Sequence, residues 1–265
     1  MNSDAASRLI VLMYHSIAKT DSPREIRYVC SPSRLTDQLC GAADAGYNFV
    51  SMKEVEEHLV LGKPLPPYPV SVTFDDGFAD NFENALPVLQ DLQIPSTVFV
   101  VSGTVGGTNS WMTRAGFQER RMVTWPELRA MAKAGMEIGA HTATHPKLTE
   151  LESDAINQEV VTCRSVLEDK LGQEVRYFAY PFGLFNDDSL RAVQNAKYKL
   201  AWSTRSGFVR PNHDKHALRR IEVQGTDTRG SLKRKIRFGT NDGGIALPLR
   251  YYSSRILDKA GKILP

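Results

Sequence analysis

The chain is expected to fold as an α/β protein with a parallel sheet and helices packed outside it, in the manner of a barrel. Three observations carry this. Short apolar β-prone runs alternate with amphipathic helical stretches along nearly the whole sequence. Polar, potentially reactive residues recur just after the predicted strands: His15, Asp75, Asp76, His141 and the turn Pro181-Phe182-Gly183. In a parallel barrel the C-terminal strand ends share one face, and sites are built there. The length of 265 residues suits one such domain.

The elements follow in order. LIVLMY at 9–14 is a continuous apolar run, read as a buried strand that ends at His15. Ser31 caps a helix with Pro32 in its first turn and Gly46 as its stop. Residues 47–50 form a short strand, and Ser51 with Glu54 makes a capping box for a helix to Leu61. A proline-rich connection then delivers VSVTFDDG at 70–77, the stretch the rest of the chain serves. Beyond it come a helix at 85–92, a strand at 96–101 and a Gly-rich loop at 102–121. Thr124, Pro126 and Glu127 open a helix that Gly135 closes, and MEIGA at 136–140 is a strand ending at His141. A long helix at 153–171 stops at Gly172. Strands follow at 175–180, 199–203 and 217–223, with helices at 187–196 and 230–237.

Net charge is only +3, so the whole molecule does not call for nucleic acid. Cys30, Cys40 and Cys163 have no CxxC spacing and read as reduced thiols. The apolar run near the N-terminus is too short for a signal peptide, and the expected compartment is cytoplasmic.

Two adjacent aspartates at a strand mouth repel each other unless a cation neutralises one. His141-Thr-Ala-Thr-His145 places two imidazoles four residues apart, within reach of one ion. Two imidazoles and one carboxylate leave a divalent metal with open coordination, as a catalytic zinc site needs. The second aspartate is then free to act as general base in the hydrolysis of an amide or ester. Trp202 follows a strand and reads either as the lining of a sugar groove or as a core residue, and Trp111 and Trp125 read either as rim residues or as core.

TFDDG, HTATH and FAYPFG together resemble the first three motifs of the polysaccharide deacetylases, the NodB homology domain or carbohydrate esterase family 4. The resemblance runs from about 9 to 223. It implies a distorted (β/α)7 TIM-like barrel and removal of N-acetyl groups from an N-acetylated sugar. It also implies a divalent metal, with Zn2+ first and Co2+, Ni2+ or Mn2+ as alternatives. By resemblance Asp75 is the catalytic base, and Asp76, His141 and His145 are the metal ligands. Tyr180, Pro181, Phe182 and Gly183 form the groove wall, where a backbone N–H near Tyr180 holds the oxyanion. Many members carry an arginine where this chain has Ala179, and a late Leu-x-His motif that is not evident here. The chain instead resembles the branch with an N-terminal YH and FAYPYG, which includes poly-N-acetylglucosamine deacetylases. That makes His15 the general acid, with His213 and His216 as rivals and His58 an exposed helix residue. Arg219 or Arg220 is a candidate for the missing arginine.

The whole chain, 1–265, reads as one catalytic domain with a basic extension at about 229–265. The extension suggests a solvated helix face or contact with an anionic surface, hence peripheral contact with the inner face of a membrane and a lipid- or nucleotide-linked saccharide substrate. Two alternatives stand beside the deacetylase: a hydrolase of a cyclic imide or ureide, and an inactive carbohydrate-binding protein, motivated by Ala179 and the absent late histidine.

Overall fold

The computed structural model describes residues 8–113 and 115–246. Eight strands form one sheet: β1 Ile10–Tyr14, β2 Asn48–Phe49, β3 Pro69–Phe74, β4 Ser96–Val100, β5 Glu137–Ala140, β6 Tyr177–Ala179, β7 Leu200–Trp202 and β8 Ile221–Glu222. Every ladder is parallel, and the order is β7-β6-β5-β4-β3-β1-β8 with β2 beside β3. Among the described residues, seven α-helices of six residues or more accompany them: α1 Pro32–Asp44, α2 Met52–Leu61, α3 Leu86–Asp91, α4 Trp125–Lys133, α5 Ser153–Leu171, α6 Asp187–Asn195 and α7 Arg229–Phe238. Among the described residues no helix is long and apolar enough to cross a membrane.

The ends of this path meet through the segment before β8. Leu218 bridges Trp202, donating to the Ala201 carbonyl at 2.9 Å and accepting from Ser203 N–H at 2.9 Å. Three residues on, Ile221 pairs with Leu12 of β1. The strand expected at 217–223 is therefore split. Its first half serves β7, its second half serves β1, and Arg220 lies between them.

The period-2 alternation of strands sorts the core into two layers. Ile10, Leu12 and Tyr14 join the layer under the helices, whereas Leu9 and Val11 point inward with Phe99, Tyr177 and Leu200. Val55 and Leu59 of α2 belong to the inner layer and plug the N-terminal end of the barrel. Glu137 of β5 fixes that plug by accepting the N–H groups of Met52 (2.9 Å) and Lys53 (3.1 Å) at the start of α2. Gly139 is required inside: a Cβ there would lie 2.5 Å from the Phe99 ring.

Two sequence expectations are corrected by this layering. Trp202 does not line a groove. It is fully buried in the inner layer, because it shares the inward parity of Leu200 on β7. The basic extension is not a uniformly solvated face, since Lys235 is buried, paired with Asp227, and donates to the Glu222 carbonyl at 3.1 Å. Leu232 and Ile236 are buried on the same helix, and Arg229 pairs with Asp44 of α1. The rest of the extension, including Arg250, Tyr251, Tyr252, Arg255, Lys259 and Lys262, lies outside the described residues.

The expected capping box forms at Ser51/Glu54, and a second one forms at Thr124/Glu127. At the second, hydrogen bonds from Arg121 lead the causes that lower Glu127 from 4.5 to about 2. A depressed carboxyl contributes stability that is fully present above its unfolded value and lost as pH falls through its folded value. Comparing thermal unfolding of wild type and Glu127→Gln should therefore show a wild-type advantage above pH 4.5 that narrows steadily toward pH 2. A gap independent of pH would contradict this.

Candidate active site

The site assembles at the C-terminal ends of β1, β3, β5 and β6. After β3, the Asp75 N–H continues the ladder to the Tyr14 carbonyl at 2.9 Å. The chain then turns through two left-handed residues, Asp76 (φ 76°) and Gly77 (φ 81°). Asp is among the residues that tolerate this region. The turn sends the two carboxylates in different directions, and each finds its own partners.

Asp76 faces the histidines. Its Oδ1 lies 3.4 Å from His141 Nε2 and 3.3 Å from His145 Nε2. His141 Nδ1 donates to the Ala179 carbonyl at 2.7 Å, so Nδ1 carries a proton and Nε2 is the ring atom left to face Asp76. Thr142 (φ 67°) and His145 (φ 63°) are both left-handed, which brings the second imidazole back beside the first. The Thr142 hydroxyl accepts from the His145 N–H at 3.0 Å, and Glu159 of α5 accepts from the Thr144 N–H at 2.9 Å. The three potential ligand atoms lie within 4.8 Å of one another and all three residues are buried. Two imidazole nitrogens aimed at one carboxylate oxygen, with one ring oriented by a carbonyl, fit a divalent ion with an open coordination position. Burial opposes charge on Asp76, but hydrogen bonds from His141 and His145 outweigh it and hold the carboxyl well below its ordinary value. Burial dominates at His145 and pushes its imidazole down, toward the neutral form a metal ligand needs.

Asp75 faces the other way, into the barrel mouth. Arg220 grips it with both arms of the guanidinium, Nη1 to Oδ1 at 2.6 Å and Nη2 to Oδ2 at 2.7 Å. Arg220 is fully buried and also donates through Nε to the Ser203 carbonyl at 3.2 Å. Burial alone would raise the Asp75 carboxyl. The Arg220 charge outweighs it, and the group sits below the usual carboxylate range. The guanidinium that meets Asp75 thus comes from the split strand beside β8, while position 179 carries an alanine. Arg219, its neighbour, instead reaches the Ser206 carbonyl at 2.9 Å.

His15 stands near both aspartates and contributes to lowering both carboxyls. Its Nδ1 is buried with no hydrogen-bond partner among the described residues. Its position depends on residues the sequence reading missed. Asn81 Nδ2 donates to the His15 carbonyl at 2.8 Å, and Asn84 Nδ2 donates to the Ile17 carbonyl at 2.8 Å. Asp80 accepts from the Ser16 hydroxyl at 2.5 Å and the Ile17 N–H at 2.8 Å. Asn81 and Asn84 lie on a π-helical turn, Asn81–Ala85, a distortion that recurs at functional sites.

The turn after β6 narrows to one residue. The Tyr180 N–H is already donated to the Trp202 carbonyl at 3.0 Å, and its hydroxyl to the His216 carbonyl at 2.9 Å. Tyr180 and Pro181 are buried, and Gly183 is pinned against Thr204, where a Cβ would come within 2.1 Å. Only Phe182 faces outward. It is left-handed (φ 58°) and half exposed, and its N–H has no acceptor among the described residues. Within this turn the backbone N–H left for a ligand is therefore that of Phe182, not that of Tyr180. Its ring meets the His145 imidazole edge-on at 4.8 Å, while Trp111 stacks on His145 at 4.8 Å and 26°. Trp125 packs against the helix-side core. The rival acids are elsewhere: His216 Nε2 engages the Tyr198 carbonyl at 2.9 Å, and His213 sits among Arg219, Arg210 and Lys215. His58 bonds the Lys63 carbonyl at 2.7 Å at the end of its helix.

The family model described as polysaccharide deacetylase matches residues 62–201, a span that holds both aspartates, both histidines and the Phe182 turn. The chain belongs to the polysaccharide deacetylase family. His15 and Arg220 lie outside the matched span. The chain is 28% identical over 234 residues to a poly-β-1,6-N-acetyl-D-glucosamine N-deacetylase of Staphylococcus aureus (strain MSSA476), covering 81% of this chain and 78% of that one. Among solved structures, the deacetylase PplD of Streptococcus pyogenes, in complex with acetate, is 27% identical with a TM-score of 0.74, covering 86% of this chain and 98% of that chain. IcaB from Ammonifex degensii is 25% identical with a TM-score of 0.75, covering 88% and 97%. Both structures share the parallel barrel-like architecture described above.

Proposed function

We propose that this chain is a metal-dependent N-deacetylase that hydrolyses the acetamide of N-acetylated hexosamine units in a surface polysaccharide, with Zn2+ as its ion. The observation that carries the reading is the division of labour between adjacent aspartates. Asp76 is turned to two histidines, and Asp75 is kept ionised by a buried arginine. The named S. aureus relative supports the substrate class. An ion held by Asp76, His141 and His145 would polarise the amide carbonyl and make a water acidic enough to attack it.

The chain's own residues supply the rest. Asp75 takes the proton that the attacking water loses. Arg220 fixes the direction of the Asp75 carboxylate and keeps it deprotonated before the attack. As the carbonyl carbon becomes tetrahedral, negative charge grows on its oxygen, and the Phe182 N–H is available to donate to it. When the C–N bond breaks, the sugar nitrogen needs a proton, and His15 is placed to give one. Acetate and a free amine leave. Trp111 and Phe182 wall the mouth around His145 and limit water access.

The inactive-binder reading rested on Ala179 and the absent late histidine; against it, Arg220 grips Asp75 without an arginine at position 179, and His15 lies close enough to both aspartates to be offered as the acid. Acetate release should be measured from N-acetylglucosamine oligomers, from lipid- and nucleotide-linked N-acetylhexosamines, and from a cyclic imide in parallel. Release from the saccharides alone supports the proposal. Turnover of the imide alone, or sugar binding with no acetate under saturating Zn2+, would overturn it.

A further inference from the structure

The N-terminal ends of β1, β2 and β3, opposite the face that holds Asp75, border an open pocket of about 360 Å³. Arg8 stands just before β1, Tyr47 just before β2 and Tyr68 just before β3, while Lys233 and Arg237 come from α7. Phe208 completes the wall, and the Arg8 guanidinium lies 5.8 Å from its ring centroid. No aspartate or glutamate is among the described residues that line the pocket. Asp44, next in the chain to the lining residue Ala45, is already paired with Arg229. Lys233 and Arg237 are four residues apart on one helix, a spacing at which like charges repel. Arg8 adds a third positive charge from a separate segment. Burial pushes the Tyr47 hydroxyl up, and the Arg237 and Arg8 charges pull against that rise, so both guanidiniums bear on the same phenol. Tyr68 is left-handed (φ 51°), a conformation that glycine or asparagine adopts more cheaply. Its carbonyl accepts from the Asn48 N–H at 3.0 Å, yet its ring is 47% exposed and meets the Tyr47 ring edge-on at 6.0 Å and 77°. Core packing does not account for a tyrosine at that position.

We propose that this pocket is a second ligand site, which takes the terminal phosphate of a phosphate ester. Such a phosphate carries about −1.5 to −2 charges at pH 7 and offers strong acceptor oxygens. It relieves the mutual repulsion of Arg8, Lys233 and Arg237, which a singly charged carboxylate does only in part and a neutral sugar not at all. Arginine matches the geometry of phosphate oxygens with paired N–H donors, and lysine adds a point charge. The Tyr47 and Tyr68 hydroxyls are further donors, and the rings of Tyr68 and Phe208 give an apolar surface for the group esterified to the phosphate. The inference is independent of the deacetylase reading and goes beyond it. An occupant sits at the end of the barrel remote from Asp75 and Asp76, so it leaves the catalytic mouth open. It ties the enzyme to whatever carries the phosphate, either a soluble ester or a lipid headgroup, since both present the same chemistry to the pocket.

The test uses the intact zinc-loaded chain and two probes. Phenyl phosphate, a soluble aromatic monoester, is titrated by calorimetry, and vesicles of phosphatidylcholine with and without phosphatidic acid are tested by co-sedimentation. Wild type should bind phenyl phosphate, the phosphatidic acid vesicles, or both. The double variant Arg8→Ala/Lys233→Ala should bind the same probe about tenfold or more weakly. Both side chains are exposed, so the variant should keep the thermal unfolding profile of wild type. Binding of phenyl phosphate supports the site and shows that a soluble ester suffices as its occupant. Binding of the vesicles alone supports the site with a lipid headgroup as its occupant. The proposal is overturned if wild type binds neither probe, or if the double variant binds as tightly as wild type, which would put the phosphate elsewhere on the molecule, such as on the zinc ion. Acetate release enters neither readout, so the deacetylase reading stands or falls separately.

Discussion

Replacing Arg220 by methionine should lower acetate release by about 100- to 1,000-fold while leaving the divalent-ion content unchanged. The guanidinium touches only the base side of the site, whereas Asp76, His141 and His145 keep their own contacts. Without Arg220, burial is left as the dominant influence on Asp75, and its carboxyl rises toward the protonated form that cannot act as a base. Stability should also fall, by about 3–5 kcal/mol, the usual cost of leaving one partner of a buried pair alone. Arg220→Lys restores the charge but not the two parallel N–H donors, and should recover only part of the activity. The double variant Asp75→Asn/Arg220→Met should be more stable than either single one, because no buried charge is left without a partner. Equal loss of ion content and activity in Arg220→Met would instead mean that Arg220 merely props up the metal triad.

The second large effect is expected at Asp75. Asp75→Asn keeps the shape of the side chain and one acceptor for Arg220, yet removes the basic oxygen. Activity should drop by about 100- to 10,000-fold, the range spanned by general acid–base catalysis. The substitution should act on kcat more than on KM, since Asp75 meets the reacting water and not the sugar.

What the sequence disclosed depended on how local each feature is. DDG and HTATH are legible because each packs its chemistry into a few residues after a strand, and strand ends on a parallel barrel share a face. The capping box at Ser51 and the helix start at Thr124 are legible for the same reason. Arg220 could be suspected but not chosen over Arg219, because its partner lies 145 residues away and the strand around it is split between two neighbours. Trp202 misled because an aromatic residue at a strand end suits a sugar groove and a barrel interior alike, and parity in a three-residue strand shows only in the folded sheet. At the Phe182 turn, a left-handed phenylalanine carries no sequence signal of its own, so the free N–H could not be told from its neighbours. Lys235 belonged to a basic helix by composition, and its burial against Asp227 is a tertiary choice.

The measurement that tests the central claim most directly takes divalent-ion content and acetate release from N-acetylglucosamine oligomers on the same preparations of wild type and Asp75→Asn. The expected result is about one ion per chain in both proteins, with acetate released by wild type alone. An ion-free wild type, or an Asp75→Asn variant as active as wild type, would contradict the division of roles between Asp75 and Asp76.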